Sequence, residues 1–234
     1  MAIKTASFVL CLLGPTLAFA QGKRGLAYND SALANLFREH NTAIGFSPML
    51  WGLPSRLSPE WTAAVGEEGV EAILGFNEPD LGAQSNITPS DAAAGYLVSI
   101  EPFTGQVRIS TPAVTNGPPP NMGIGWIDQF FEHCTTCTID FVATHWYANN
   151  YPEGFKSHVQ RFYDKYNLPI WITEFAASGS EEEQISFLKA VLPWLDSQPY
   201  VDRYAYFGVF TGFLVNENGD GLSQLGKVYA TDSG

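Results

Sequence analysis

Two glutamates end two apolar runs of the kind that forms β-strands. Glu78 ends the run that begins at Ala72, and Glu174 ends the run that begins at Pro169. In a barrel of alternating strands and helices, the ends of the parallel strands meet at one rim, where catalytic residues lie. Two carboxyl groups roughly 5 Å apart at that rim can cut a glycosidic bond, one as proton donor and one as nucleophile. The pair therefore predicts glycoside hydrolysis.

Residues next to Glu78 fit the same chemistry, although they also fit a plain turn. The Asn77 amide can hydrogen-bond the sugar hydroxyl beside the reacting carbon, a contact that tightens in the transition state. Pro79 is expected to keep Glu78 in an extended conformation and to help end the strand. The alternative interpretation is that Asn77, Glu78 and Asp80 are turn residues that follow a strand. The sequence around Glu78 leaves both interpretations open.

Around Glu174, the alternation of side chains along a strand predicts which residues face the barrel interior. A period of two puts Ile172 and Glu174 on one face and Trp171 and Thr173 on the other. If Glu174 faces the interior, Trp171 faces a helix. We therefore expect Trp171 in the core rather than beneath a bound sugar.

The chain as a whole alternates between apolar runs and amphipathic stretches. The predicted strands are residues 25–28, 44–50, 72–76, 108–111, 141–146, 170–173 and 203–209. The predicted helices are residues 31–40, 58–65, 88–101, 126–131, 155–166 and 180–194. Four of these helices carry start signals. Ser31 is a possible cap, Ser58 and Thr88 precede prolines, and Ser180 precedes a run of acidic residues.

This alternation predicts the fold class. Strands that alternate with helices pair in parallel through right-handed crossovers, and covered strands are continuous apolar runs. We expect an α/β fold, a TIM-type (β/α)8 barrel formed by a single domain over residues 21–234. The competing fold is a doubly wound sheet, which usually has a glycine-rich phosphate turn after its first strand. Residues 25–30 contain no such turn, which favours the barrel.

Composition limits the class of partner. The 234 residues are 45% hydrophobic, which is enough for one domain with a large core. The net charge of -12 argues against nucleic acid and against an anionic membrane, since both require clustered Lys and Arg. A neutral ligand fits this charge better.

The first twenty residues have the pattern of a signal peptide. Lys4 supplies positive charge, an apolar stretch follows from Phe8, and residues 18–20 match the small-x-small cleavage rule, so we expect a mature start at Gln21. The alternative is a buried N-terminal helix. A secreted, extracellular protein with no membrane contact after cleavage is expected, and the sequon at Asn86 predicts a glycan in a polar loop.

Cys134 and Cys137 form a C-x-x-C pair, which can be a redox site, half of a zinc site or a small disulfide. Zinc needs four ligands and no second cysteine pair follows, whereas a redox motif would open a helix after a strand. Here the pair follows a predicted helix and precedes a predicted strand. This placement favours a local disulfide in a secreted protein. No cofactor and no metal is expected, since no ligand cluster has metal spacing.

Three motifs resemble those of glycoside hydrolase family 128, and the resemblance covers essentially the whole mature chain. They are Asn77-Glu78-Pro79-Asp80, Ala143-Thr144-His145-Trp146-Tyr147 and Trp171-Ile172-Thr173-Glu174-Phe175. The resemblance implies a secreted endo-β-1,3-glucanase, with fungal cell-wall proteins among its relatives and a clan-A barrel. It also implies retention of configuration, with Glu78 as the acid/base and Glu174 as the nucleophile.

The same resemblance implies the residues that bind the substrate. Asn77 and Trp51 would contact the sugar, the latter as a platform for its apolar face. His145 and Tyr147 share a strand face and would reach the cleft, although a lone histidine on a strand is more often structural. The implied partner is a β-glucan polysaccharide or oligosaccharide, bound by a monomer.

One departure from the family concerns the number of strands. The sequence contains seven candidate strands, because residues 39–42 lead almost directly into the strand at residues 44–50. The second barrel strand and its connection are missing from this pattern. An open barrel edge would expose unpaired backbone groups. The second hypothesis is therefore a non-catalytic or weakly active glucan-binding protein of the cell wall, on the same fold.

Overall fold

The computed structural model describes residues 16–19, 22–28, 33, 35–37, 45–54 and 58–231. Its strands are β1 (Thr16–Phe19), β2 (Arg24–Tyr28), β3 (Gly45–Ser47), β4 (Ala72–Ile73), β5 (Arg108–Ile109), β6 (Val142–Asn149), β7 (Ile170–Ser178) and β8 (Val201–Tyr206). Its α-helices are α1 (Pro59–Val65), α2 (Pro89–Ser99), α3 (Ile124–His133), α4 (Pro152–Tyr166), α5 (Glu181–Ser197) and α6 (Gln224–Thr231). Short 3₁₀ helices cover Asn35–Phe37 and Glu101–Phe103.

The strands of this part of the chain close into a ring. Six of them form one sheet in the order β3-β1-β2-β8-β7-β6, and β4 pairs with β5. Single bridges join the two groups, from Met49 to Leu74 on one side and from Ser110 to Phe141 on the other. The pairs β2–β8, β4–β5, β6–β7 and β7–β8 are all parallel. The expected α/β barrel class is confirmed.

All of the predicted strands occur, but the gap between β2 and β3 is filled in an unexpected way. Strand β1 lies between them and runs antiparallel to both. It comes from residues that we assigned to a signal peptide, most of which lie outside the described residues, so that assignment stays a prediction. Of the predicted helix at residues 31–40, the structure describes only Leu33 and the 3₁₀ turn Asn35–Phe37.

Two apolar layers surround the barrel wall. The inner layer takes residues from strands around the ring: Ala27, Met49, Ala72, Leu74, Phe141, Trp171 and Ala205. The outer layer lies between strands and helices, where Phe155 of α4, Phe175 of β7 and Phe187 of α5 pack together in full burial. Each fully buried side chain of this size stabilises the fold by roughly 1.5–3 kcal/mol. These layers fix the strand ends on which the rim residues stand.

Local signals in the sequence account for the helix starts. The hydroxyls of Ser58 and Thr88 accept backbone N–H groups in the first turns of α1 and α2. Ser180 and Glu183 form a reciprocal capping box at the start of α5. Among the described residues, no helix has the length and apolar character needed to cross a membrane.

The predicted disulfide is confirmed, since Cys134 and Cys137 are bonded directly after α3. Asn86 is exposed in the loop between β4 and α2, and its glycosylation stays a prediction. The sequence contains a second sequon, Asn29-Asp30-Ser31, which lies outside the described residues.

Candidate active site

Glu78 reaches the rim through an irregular segment rather than a regular strand. Its φ angle is +39°, a left-handed value that costs a non-glycine residue about 1–3 kcal/mol. The expectation that Pro79 holds Glu78 extended is therefore wrong. The conformation is fixed by hydrogen bonds on both sides: the Glu78 N–H donates to the Ala113 carbonyl at 2.8 Å, and the Leu81 N–H donates to the Glu78 carbonyl at 3.0 Å.

Glu174 reaches the rim through a β-bulge in β7. Thr144 of β6 pairs with Ile172, but the next residue, His145, pairs with Glu174. Thr173 is therefore an additional residue in β7, and the pairing with β8 shifts over the same stretch. A bulge of one residue reverses which side chains face inward beyond it.

The bulge corrects the predicted alternation. Ile172 and Glu174 do not share a face, because Ile172 belongs to the outer layer and Glu174 lies in the cleft. Trp171 is in the core as expected, but it lies inside the barrel, stacked on Phe141 with ring centroids 4.1 Å apart. Trp171 and Glu174 can both face inward only because Thr173 lies between them as an additional residue.

The two carboxyl groups meet beside a buried histidine. One carboxyl oxygen of Glu78, one of Glu174 and the Nδ1 atom of His145 all lie within 4.8 Å of one another. Glu78 and Glu174 are each 6% exposed and His145 is 0% exposed. The carboxyls therefore face one another in a site that is largely screened from bulk water but open to the cleft.

His145 links the two glutamates. Its Nδ1 lies 2.9 Å from Glu78 Oε1 and 3.6 Å from Glu174 Oε2. Whenever Glu78 is ionised its oxygens can only accept, and Nδ1 is then the donor of this bond. Burial lowers the pKa of His145, but the charges of Glu174 and Glu78 outweigh this and hold its pKa above the usual value.

Among the described residues, one group of His, Cys, Asp or Glu side chains is close enough to share a metal ion. It consists of Glu78, His145 and Glu174. When Nδ1 donates to Glu78, the ring turns an N–H rather than a lone pair toward this group. The expectation that the protein needs no metal stays a prediction.

Tyr147 holds Glu174 from the other side. Its hydroxyl donates to Glu174 Oε2 at 2.6 Å, and its ring is 38% exposed at the cleft. Burial and then the Glu174 charge raise the pKa of Tyr147 well above its usual value, so the hydroxyl keeps its proton as a donor. Asn116 fixes the Tyr147 backbone by accepting from its N–H at 3.1 Å and donating to its carbonyl at 3.2 Å.

Asn77 and Trp51 lie beside the pair. The Asn77 Nδ2 donates to Gln84 Oε1 at 3.1 Å, whereas its Oδ1 is buried without a protein donor. Asn77 as a residue lines the cleft, next to Glu78. The Trp51 carbonyl accepts from the Asn77 N–H at 2.9 Å, and the half-buried Trp51 ring also lines the cleft.

The cleft has a volume of about 600 Å³ and brings the predicted residues Trp51, Asn77, Glu78, Tyr147 and Glu174 together. Its lining residues that the sequence analysis did not identify are Leu81, Gln84, Thr115, Asn116, Gly117, Met122 and Phe207. His145 lies directly beneath this surface. Phe207 was missed because the predicted strand ran to residue 209, whereas β8 ends at Tyr206. A residue directly after a strand at the same rim is the signal that would have identified it.

Comparisons with known proteins place this geometry in a family. The model of the family described as glycosyl hydrolase catalytic core matches residues 11–229. The chain belongs to the glycosyl hydrolase catalytic core family. Alkali-sensitive linkage protein 1 of Schizosaccharomyces pombe is 33% identical over 184 residues, which are 69% of this chain and 33% of that protein. The chain thus spans about a third of the length of this curated relative.

Solved structures make the assignment more specific. A curdlan-specific exo-β-1,3-glucanase of glycoside hydrolase family 128 from Blastomyces gilchristii, in complex with glucose, is 38% identical with a TM-score of 0.79. An endo-β-1,3-glucanase of that family from Sorangium cellulosum is 26% identical with a TM-score of 0.75. An endo-β-1,3-glucanase from Amycolatopsis mediterranei, in complex with laminaritriose, is 26% identical with a TM-score of 0.72. Each alignment covers 89% of this chain and 97% of the solved chain. The resemblance to family 128 is confirmed.

Proposed function

We propose that this glycosyl hydrolase cleaves β-1,3-glucosidic bonds of a β-glucan with retention of configuration. The observation that carries the proposal is the Glu78–Glu174 pair, whose nearest ligand oxygens lie within 4.8 Å at the barrel rim. Retaining enzymes hold their carboxyls about 5–5.5 Å apart, whereas inverting enzymes leave about 6.5–9.5 Å for a water molecule. The linkage is supported by the solved relatives, which are β-1,3-glucanases.

In the proposed first step, Glu174 attacks the anomeric carbon while Glu78 gives its proton to the departing glycosidic oxygen. The carbon–oxygen bond breaks as the bond to Glu174 forms. In the second step Glu78 takes a proton from water, and the resulting hydroxide displaces Glu174. The hydrogen bond from Tyr147 to Glu174 Oε2 keeps the nucleophile oriented, and His145 does the same for Glu78 at 2.9 Å.

Substrate contacts follow from the groups that surround the pair. The side-chain amide of Asn77, a residue that lines the cleft, is the proposed partner of the hydroxyl next to the reacting carbon. The rings of Trp51 and Phe207 both line the cleft and provide apolar surfaces for sugar faces. The proposal also includes internal cleavage of the glucan chain. It further includes secretion of the protein as a monomer that acts on an extracellular β-glucan, as the sequence indicates.

The test is hydrolysis of laminarin and of laminari-oligosaccharides by the full chain, beside Glu174→Ala. We expect sugar release by the wild type and none above background by the variant. Glu182→Ala, which removes an exposed carboxylate from the first turn of α5, is the matched control and keeps wild-type activity. A ladder of oligosaccharides indicates internal cleavage, and release of glucose alone indicates cleavage from chain ends.

Two results would contradict the proposal. Equal activity of wild type and Glu174→Ala would reject the nucleophile. Calorimetric binding of laminaritriose by a wild type that releases no product would instead favour the glucan-binding alternative. The anomer released first, followed by NMR, tests retention directly.

A further inference from the structure

Asp80 lies two residues after Glu78 and accepts hydrogen bonds from a neighbouring rim loop. The Thr115 N–H donates to both carboxylate oxygens at 3.1 Å, and the Thr115 hydroxyl donates to Oδ2 at 2.6 Å. The Gly123 N–H donates to the same Oδ2 at 2.8 Å. A carboxylate that accepts several short N–H and O–H bonds is a strong, charge-assisted anchor.

The anchored segment, residues 115–123, is called the wall loop here because it forms one side of the cleft. Its Thr115, Asn116, Gly117 and Met122 line the cleft next to Glu78. Asp80 binds both ends of the loop and so draws them together. Inside the loop, the Gly117 N–H donates to the Thr115 hydroxyl at 3.0 Å, which continues the network from Asp80 into the cleft wall.

The same network reaches the proposed acid/base. The Glu78 N–H donates to the Ala113 carbonyl, and the Thr115 N–H donates back to Asp80, so the two segments are tied on both sides of the strained residue. Glu78 keeps its φ of +39° between these ties. Loss of the Asp80 carboxylate would free the wall loop and remove one of the constraints on Glu78.

We propose that Asp80 is a positioning residue that fixes the wall loop against the glucan chain and holds Glu78 in its productive direction. The inference rests on the proposed function and assigns Asp80 no contact with the reacting atoms. Asp80 would then have two effects. The fit of the substrate against the wall loop affects KM, and the placement of the acid/base affects kcat.

The test compares Asp80→Asn with Asp91→Asn. Asp91 is the matched control, because it also accepts a threonine hydroxyl, from Thr88 at 2.7 Å, but is exposed at the start of α2 away from the cleft. A misplacement of about 1 Å can cost about 10²-fold in rate, so we expect kcat/KM for laminarin to fall at least about tenfold in Asp80→Asn, through both kcat and KM. Asp91→Asn should stay within about twofold of the wild type.

Thr115→Val provides a second variant that removes the hydroxyl, with its bond to Asp80 and its bond from the Gly117 N–H, and leaves the Thr115 and Gly123 N–H groups bonded to Asp80. We expect a rise in KM with nearly unchanged kcat, and this result decides the matter if Asp80→Asn does not fold. Hydrogen exchange at the Thr115 and Gly123 amides gives a readout without substrate. Both amides should lose protection in Asp80→Asn and keep it in Asp91→Asn.

A folded Asp80→Asn with wild-type kcat and KM would overturn the proposal, as would equal effects of Asp80→Asn and Asp91→Asn. Failure of the proposed function has a different signature, namely a wild type that releases no sugar from laminarin. In that case weaker binding of laminaritriose to Asp80→Asn and the loss of amide protection still support the positioning role, and unchanged values reject it.

Discussion

The two glutamates face one another across the cleft, but opposite kinds of structure hold them. Glu174 lies within the nine-residue strand β7, which is paired on both sides. Glu78 follows the two-residue strand β4 and depends on loop hydrogen bonds and a left-handed backbone. One side of the site is therefore built by a sheet and the other by an irregular segment tied to its neighbours.

The difference shows two ways of turning a side chain toward the rim. On the β7 side, a single additional residue redirects a regular strand at little cost in pairing. On the β4 side, backbone strain of about 1–3 kcal/mol is offset by the hydrogen bonds around Glu78. Substitutions should therefore affect the two sides differently, in chemistry and in stability.

The largest expected effect comes from removing the Glu78 or the Glu174 carboxyl group, because the two have different roles in the proposed reaction. On laminarin, Glu174→Ala should lose at least about 10³-fold in kcat, and Glu78→Ala about 10²–10⁴-fold. The dinitrophenolate of a dinitrophenyl β-laminaribioside is a leaving group that needs no proton. Glu78→Ala should therefore show a burst of released dinitrophenolate as the glycosyl-enzyme accumulates. Glu174→Ala should show no burst in stopped-flow absorbance. A burst in Glu174→Ala and none in Glu78→Ala would exchange the two roles.

The next effect concerns His158, which lies behind β6, the strand that carries His145 and Tyr147 between the two sides. His158 Nε2 lies 2.9 Å from the Thr144 hydroxyl. Burial, and then the charge of Arg161, lower the pKa of His158 from 6.5 to about 3. A lowered pKa means that the neutral ring stabilises the fold above pH 6.5 and that this contribution is lost as the pH falls toward 3.

We therefore expect the free energy of unfolding of the wild type to fall by up to about 1 kcal/mol per pH unit as the pH is lowered from 6.5 toward 3. His158→Gln removes the titration, so urea unfolding at pH 7 and pH 4 should show a smaller difference in the variant. His133→Gln, at an exposed position in the last turn of α3, should follow the wild type. Parallel pH profiles for wild type and His158→Gln would contradict the assignment.

A smaller effect tests the backbone strain at Glu78. The difference in stability between a glycine and an alanine variant should have opposite signs at positions 78 and 174. Glycine adopts a positive φ freely, so Glu78→Gly should be more stable than Glu78→Ala by about 1 kcal/mol. In strand β7, glycine is unfavourable, so Glu174→Gly should be less stable than Glu174→Ala by about 0.5–1 kcal/mol. Thermal and urea unfolding of the four variants measure both differences. The same sign at both positions would refute the strain at Glu78.

The smallest effect concerns the bulge residue itself. The Thr173 hydroxyl is buried without a hydrogen-bond partner, an arrangement that costs free energy. Thr173→Val keeps the shape and removes the polar atom. We expect unchanged kcat and a gain in stability of up to about 1 kcal/mol in urea unfolding. A loss of stability would show that the hydroxyl does make a favourable contact.

Features set by local chemistry were predictable from the sequence. The capping residues Ser58, Thr88 and Ser180 start helices where they were expected. Apolar runs gave each parallel strand, because a covered strand must be apolar on both faces. The helix α6 was missed, although Ser223 supplied a capping signal by accepting the Gly226 N–H at 2.9 Å.

Features set by neighbouring strands were not predictable. The bulge at Thr173 depends on the registers of β6 and β8, and simple alternation assigned Trp171 to the wrong face. The left-handed Glu78 depends on partners far along the chain, at Ala113. The antiparallel strand β1 had no periodic signal of its own within an apolar stretch.

The bulge in β7 also has a consequence for how this protein can change by mutation. Because orientation along a strand depends on whether the residue count is odd or even, an in-frame deletion of the Thr173 codon would place Glu174 two residues after Trp171, still opposite His145 and facing the cleft. Every cleft residue would keep its identity and its direction, and the proposed sugar-binding surface of Trp51, Asn77 and Phe207 would remain. The additional residue of β7 can therefore be lost by mutation without turning the candidate nucleophile away from the cleft.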